Sequence, residues 1–183
     1  RAIAEELAAE GASLALCARG GEALEATAAA IRESSGRDVL AIEGDVSRAE
    51  DVERITSTAL AHFGAVDILV TNAGGPPSGK FESLTPGMWN TAVDLTLMSA
   101  INLTRALLPQ MKQRGWGRVI NVTSITVKQP VDGLMLSNAL RAGVTGFART
   151  LANEVAPFGV TVNNILPGYT RTDRIVQLAD ATA

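Results

Sequence analysis

Five short runs of apolar, largely β-branched residues alternate along this chain with stretches patterned as helices. No other feature of the sequence constrains the fold so tightly. The runs read ASLALCA (12–18), VLAIEGDVS (39–47), VDILVTNAGG (66–75), GRVINVTS (117–124) and VTVNNILPG (160–168). Helical patterns separate them, over about 1–10, 22–34, 48–62, 88–112 and 134–155. Near-continuous apolar strands with helices between them predict a parallel sheet covered on both faces, because a parallel strand can only be reached by a crossover. Gly11 is placed to end the first helix, and Ser47 is placed to cap the third.

Composition removes several function classes. A net charge of −3 and 4% aromatic residues provide neither the basic stripe nor the stacking platforms of a nucleic-acid groove. No apolar run approaches the ~20 residues of a membrane helix. The opening RAIAEELAAEGA is an acidic amphipathic helix rather than a signal peptide. Cys17 is the sole cysteine and lies inside an apolar run, so we expect a buried core thiol and no disulfide. His62 is the sole histidine, near a helix end before Gly64, and no metal site is expected.

At 183 residues the chain is sized for one domain. It opens directly on a helix, and after Asp173 it stops within another helical pattern. In a doubly wound sheet the first strand is central, and without it two strand edges would be exposed. We therefore expect residues 1–183 to be a single dinucleotide-binding domain lacking the first strand with its glycine-rich loop, and lacking its C-terminal end.

Ligands of open α/β sheets bind outside the carboxyl ends of the strands, and the informative motifs fall there. Asn72-Ala73-Gly74 follows one strand, Ser124 ends the next, a helix carrying Ser137 and Arg141 comes after it, and Pro167-Gly168 follows the last. Glycines in the Asn72–Gly75 turn let the backbone pass close to a flat ligand. In this order and at these intervals, the four segments resemble the short-chain dehydrogenase/reductase family over essentially the whole chain. The resemblance is nearest to members like the 3-oxoacyl-carrier-protein reductases. It implies a Rossmann-type α/β fold, a doubly wound parallel sheet with helices on both faces.

The same resemblance implies a nicotinamide cofactor. It sets Asn72, Ala73 and Gly74 along the adenosine, and Asp45 with Val46 at the adenine. It sets Pro167, Gly168, Thr170 and Thr172 near the nicotinamide carboxamide. The second strand of the family pattern ends here in Ala18-Arg19, without the acidic residue that would hold a ribose 2′-hydroxyl. Arg19 can instead pair with a 2′-phosphate, so NADP is favoured, with NAD still possible.

The family's Asn, Ser, Tyr and Lys positions are filled here by Asp94, Ser124, Ser137 and Arg141, so only the serine matches. Ser137 and Arg141, four apart, share one helix face. Ser124 can hydrogen-bond a substrate oxygen. Arg141 can hold the nicotinamide ribose, but guanidinium stays protonated and cannot relay a proton. An aliphatic hydroxyl at Ser137 is a far weaker acid than a phenol of pKa ~10. Candidate substitute donors are Asp94, if burial raises its pKa, Tyr169 (the only tyrosine) and Lys128.

The leading expectation is a cytoplasmic NADP-preferring oxidoreductase acting on a small carbonyl or alcohol. It is expected to assemble as a homodimer or homotetramer through helices 88–112 and 134–155, whose apolar residues spread beyond one stripe. Two alternatives stay open: a nucleotide-binding protein that has lost catalysis and serves as a sensor or assembly partner, and a non-redox enzyme such as a dehalogenase. Dehalogenating relatives also place Arg at the lysine position but keep the tyrosine.

Overall fold

The computed structural model describes residues 1–168 and 170. Strands occupy every apolar run, joined by helices. The order is α1 (Ala2–Ala9), β1 (Leu14–Ala18), α2 (Gly21–Ser35), β2 (Val39–Glu43), α3 (Ala49–Phe63), β3 (Ile68–Thr71), α4 (Pro86–Ala92), α5 (Ser99–Arg114), β4 (Gly117–Val122), α6 (Met135–Val155) and β5 (Val160–Ile165). All pairings are parallel, as the crossovers require, giving a Rossmann-type α/β architecture.

The strands form two ladders, β1-β2 and β3-β4-β5. Alternation along β2 shows how the first is covered. Val39 and Ala41 pack with Leu14, Ala28 and Ile31 under α1 and α2, while Leu40 and Ile42 pack with Ile55 and Ala59 of α3. In the second ladder Leu69, Val119, Val160 and Val162 meet Leu107 and Met111 of α5 and Ala148 and Val155 of α6. Fully burying such side chains contributes roughly 1.5–3 kcal/mol each. The opposite face of this ladder has Ile68, Thr161, Asn163 and Ile165 exposed, so among the described residues its helices lie on one side.

Because β1 and β3 each have one strand partner in these ladders, their outer sides are open. This corrects the expectation for Cys17. Its thiol is exposed rather than in the core, with Sγ donating to the Gly44 carbonyl at 3.6 Å. A run that reads as buried in sequence is only partly covered when it forms an open strand edge.

Two helix expectations also change. Ser47 does not cap α3, whose N-cap is Arg48 without a side-chain bond. The Ser47 hydroxyl instead donates to Asp45 Oδ1 at 2.7 Å, and Asp51 in the first turn accepts from Asp45 N at 3.0 Å. The long helix expected over 88–112 begins earlier, capped by Thr85 Oγ1 accepting from Met88 N, with Pro86 in its first turn. It is also interrupted by a π-helical segment, Val93–Met98, between α4 and α5. The wider π turn shifts which residues face inward. Thr96 and Ser99 are buried there and Asp94 is exposed.

At the opposite end of the sheet the turns before β4 and β5 pack tightly. Gly159 has φ +67°, and a Cβ there would run into the Gly115 carbonyl oxygen, so no other residue fits. Among the described residues no helix is long and apolar enough to cross a membrane.

At the carboxyl end of the second ladder, three polar side chains stand in register on the face under α5 and α6. Thr71 pairs with Asn121, and Asn121 with Asn164. The Thr71 hydroxyl donates to Asn121 Oδ1 at 2.8 Å, and Asn121 Nδ2 donates to Asn164 Oδ1 at 3.2 Å. Asn121 is 1% exposed, so its amide depends on these neighbours. Replacing Asn121 by leucine strands the Thr71 hydroxyl and should cost about 1–3 kcal/mol, read as a lower urea midpoint at unchanged slope. Adding Thr71→Val should recover part of the loss, since both partners are then gone. A double variant no more stable than Asn121→Leu alone would refute the role given to this bond.

Candidate functional site

Parallel strands bring their carboxyl ends to one side of each ladder, and the loops there carry the candidate residues. After β4 the backbone stays tied to β5: Thr123 N donates to Ile165 O at 2.8 Å, and Ile125 N to Pro167 O at 3.0 Å. This fixes Ser124 beside Pro167. Half-buried Ser124 caps a 3-10 turn, Ile125–Val127, its hydroxyl accepting from Thr126 N at 3.2 Å.

Ser137 lies in the first turn of α6, with Arg141 one turn on. Both are half-buried. Leu136, Leu140, Val144, Ala148 and Val155 form the buried stripe of α6, which sets the helix rotation. Arg141 turns toward the end of β4. Its Nη1 donates to the carbonyls of Val122 and Thr123 at 3.0 and 3.1 Å, and its Nε to Ser137 Oγ at 3.3 Å. Burial pulls the Arg141 pKa below the ordinary guanidinium value. So the structure joins Ser137, Arg141 and the strand end before Ser124 into one bonded group. Ala73 reaches the same group, sharing a small cavity with Arg141, Thr71 and Thr123.

Asp94 is on the π-helical segment and exposed, so the burial on which its candidacy as a carboxyl donor depended is not provided. Lys128 is exposed just beyond the 3-10 turn. Tyr169 and Thr172 lie outside the described residues. Pro167 is half-buried, while Gly168 and Thr170 are exposed.

A second group lies at the ends of β1 and β2. Arg19, Glu43, Gly44, Asp45, Asp51 and Arg54 line an open cleft of about 490 Å³. Asp45 Oδ1 accepts from Ser47 N at 3.0 Å and from its hydroxyl. The backbone N–H first, then the hydroxyl, hold the Asp45 carboxyl below its usual pKa. Half-buried Val46 packs against the Ile42, Ile55 and Ala59 cluster, anchoring this turn. Arg54 is engaged by Asp51 and the Glu43 carbonyl. Arg19 extends, exposed, from the end of β1.

Asn72 and Gly74 are exposed in the loop after β3, and a Cβ built at Gly74 or Gly75 meets nothing within 4 Å. Among the described residues nothing fills that space, so it is open to a ligand.

Glu43, Asp51, Arg54 and the buried Thr96 were not singled out from sequence. Glu43 had a readable signal as the charged end of an apolar run. Asn121 and Asn164 had one too, as amides within apolar runs. Thr96 had none. Among the described residues no cluster of three or more His, Cys, Asp or Glu side chains could hold a metal.

Comparison with known proteins places these features in a lineage. A family model described as short chain dehydrogenase matches residues 1–182. Nodulation protein G of Azospirillum brasilense is 38% identical over 149 residues, covering 81% of this chain and 61% of its own. Acetoacetyl-CoA reductase of Cupriavidus necator is 34% identical over 144 residues, covering 79% and 58%. The chain thus spans about three fifths of the length of these curated relatives. Among solved structures, L-sorbose reductase from Gluconobacter frateurii, complexed with NADPH and L-sorbose, superposes with a TM-score of 0.94 at 34% identity. That match covers 99% of this chain and 69% of the other.

Proposed function

The chain belongs to the short-chain dehydrogenase family, and from that premise we propose an NADP-preferring oxidoreductase that reduces a carbonyl or oxidises the matching alcohol. The observation that carries this reading is the bonded group at the end of β4, where Ser124 adjoins the strand end to which Arg141 ties Ser137. Likeness to an NADPH-complexed sorbose reductase and to an acetoacetyl-CoA reductase supports the cofactor and a 3-oxoacyl-like carbonyl substrate. We take the protein to be cytoplasmic.

The residues fit a dinucleotide. Asp45 and Val46 form a rigid turn for the adenine, and the open space at Gly74 admits a flat group close to Asn72 and Ala73. Pro167, Gly168, Thr170 and Thr172 would line the nicotinamide end. Arg19 would meet a 2′-phosphate, since Arg54 is already engaged within the protein. The exposed edges of β1 and β3 support reading residues 1–183 as one dinucleotide-binding domain without its central first strand.

A bound nicotinamide supplies or accepts the hydride, and the chain supplies position and polarity. Ser124 orients and polarises the substrate oxygen. Arg141 would contribute positive potential beside the ribose of a bound dinucleotide. Ser137 fills the usual tyrosine position with a poor acid. Asp94 stands at the usual asparagine position, but its exposure leaves Tyr169 and Lys128 as the candidate donors. The inward bonding of Arg141 specifically favours a second reading, a nucleotide-binding protein without turnover, in which this guanidinium serves the fold.

The exposed residues Ala139, Ala142, Gly143 and Gly146 form a small-residue stripe on α6, which would let a second copy approach closely. It supports a homodimer or homotetramer through α6 and the 88–112 helical run. Light scattering should give a multiple of the 19.1 kDa chain mass, and a monomer at micromolar concentration would refute this.

NADPH should bind more tightly than NADH, and Arg19→Ala should reduce the ratio toward one. An unaltered ratio would remove Arg19 from the cofactor site. On a carbonyl substrate found by screening, Ser124→Ala should lose roughly tenfold to a thousandfold in rate, about 1–4 kcal/mol of barrier, while Ser137→Ala keeps most activity. Equal losses would make Ser137 a working catalytic group. Tight NADPH binding with no turnover on any carbonyl would establish the second reading instead.

A further inference from the structure

Beneath the Ser137–Arg141 turn lies a small, partly open cavity of about 20 Å³, bounded by Thr71, Ala73, Thr96, Ser99, Thr123 and Arg141 among others, with no carboxylate among these lining residues. That volume holds one water-sized guest. Its polar groups are unevenly satisfied. The hydroxyls of Thr71, Ser99 and Thr123 already donate, to Asn121 Oδ1, Leu95 O and Ile165 O. Thr96 is 7% exposed, and its hydroxyl has no partner among the described residues.

Arg141 adds the charge. A guanidinium carries five N–H donors. Nε and Nη1 serve Ser137, Val122 and Thr123, which are all neutral acceptors, and Nη2 makes no hydrogen bond among the described residues. Burial lowers the Arg141 pKa, and among the described residues no carboxylate pairs with the guanidinium to offset it. Asp94, two residues before Thr96, is exposed. Even a half-buried cation paired only with neutral partners carries a desolvation cost, and an opposite charge beside it relieves that cost.

We propose that this cavity binds a single monatomic anion, a halide, held between the Arg141 guanidinium and the Thr96 hydroxyl. The site offers donors and positive charge, and its size excludes carboxylates and phosphates. The anion would neutralise Arg141 at the wall of the cleft where a dinucleotide would lie, since Ala73 and Arg141 border both. It would stabilise the native state by mass action, in proportion to halide concentration.

Two measurements on the purified protein test this. Crystals soaked in sodium bromide should show anomalous scattering inside the cavity, within hydrogen-bonding distance of both Arg141 and Thr96. In solution, bromide or chloride should raise the melting temperature by on the order of 2–4 °C over sodium gluconate at equal ionic strength. Thr96→Val, which keeps the side-chain shape, should raise the halide midpoint roughly tenfold by removing one donor to the anion. A water without anomalous signal in the cavity, an equal rise in gluconate, or an unchanged midpoint in Thr96→Val would each overturn the proposal.

Discussion

Register between β3, β4 and β5 is held by the Thr71–Asn121–Asn164 line of hydrogen bonds, set across strands that are otherwise apolar on that face. A one-residue slip of any strand would turn its buried side chains outward and leave these amides unpaired in the core. Everything at the carboxyl end follows from that register. Thr123 bonds Ile165, Ile125 bonds Pro167, and Ser124 is placed between them. Arg141 then bonds the Val122 and Thr123 carbonyls from above, tying α6 to the same strand end. Loss of the line should therefore be felt by the serine even though Asn121 touches no ligand.

The strands and most helices were legible in the sequence because burial dictates an apolar run, and glycine marks where helices stop. Gly36, Gly64 and Gly115 all take left-handed conformations after α2, α3 and α5. The π segment was not legible, since VDLTLM contains neither proline nor glycine, and its letters suit an α-helix equally well. Cys17 was misplaced because burial of a strand depends on its neighbours as much as its own letters. At the α3 entrance, sequence pointed to Ser47 as the cap. The closer geometry is an aspartate turn in which Asp45 accepts from Ser47, and Asp51 from Asp45.

The site shows the same division. Sequence identified Ser124, Ser137 and Arg141 and put the last two on one helix face, which holds. It could not show where the guanidinium would turn. A lysine at that position carries three donors on a flexible stem, whereas the planar fork of Arg141 reaches two strand carbonyls and a serine at once. Two residues that look independent in sequence are therefore a bonded pair in the fold. The small hydroxyl of Ser137 leaves room for the guanidinium and accepts from it.

The central claim is that these strand ends organise a nicotinamide dinucleotide, with Ser124 and the Ser137–Arg141 pair at its reactive end. A crystal structure of the purified protein grown with NADPH tests it most directly. The adenine should lie against Asp45 and Val46, the backbone of Asn72–Gly74 along the adenosine, and the nicotinamide ring beside Ser124. A dinucleotide bound elsewhere on the molecule, or none at saturating NADPH, would contradict the claim.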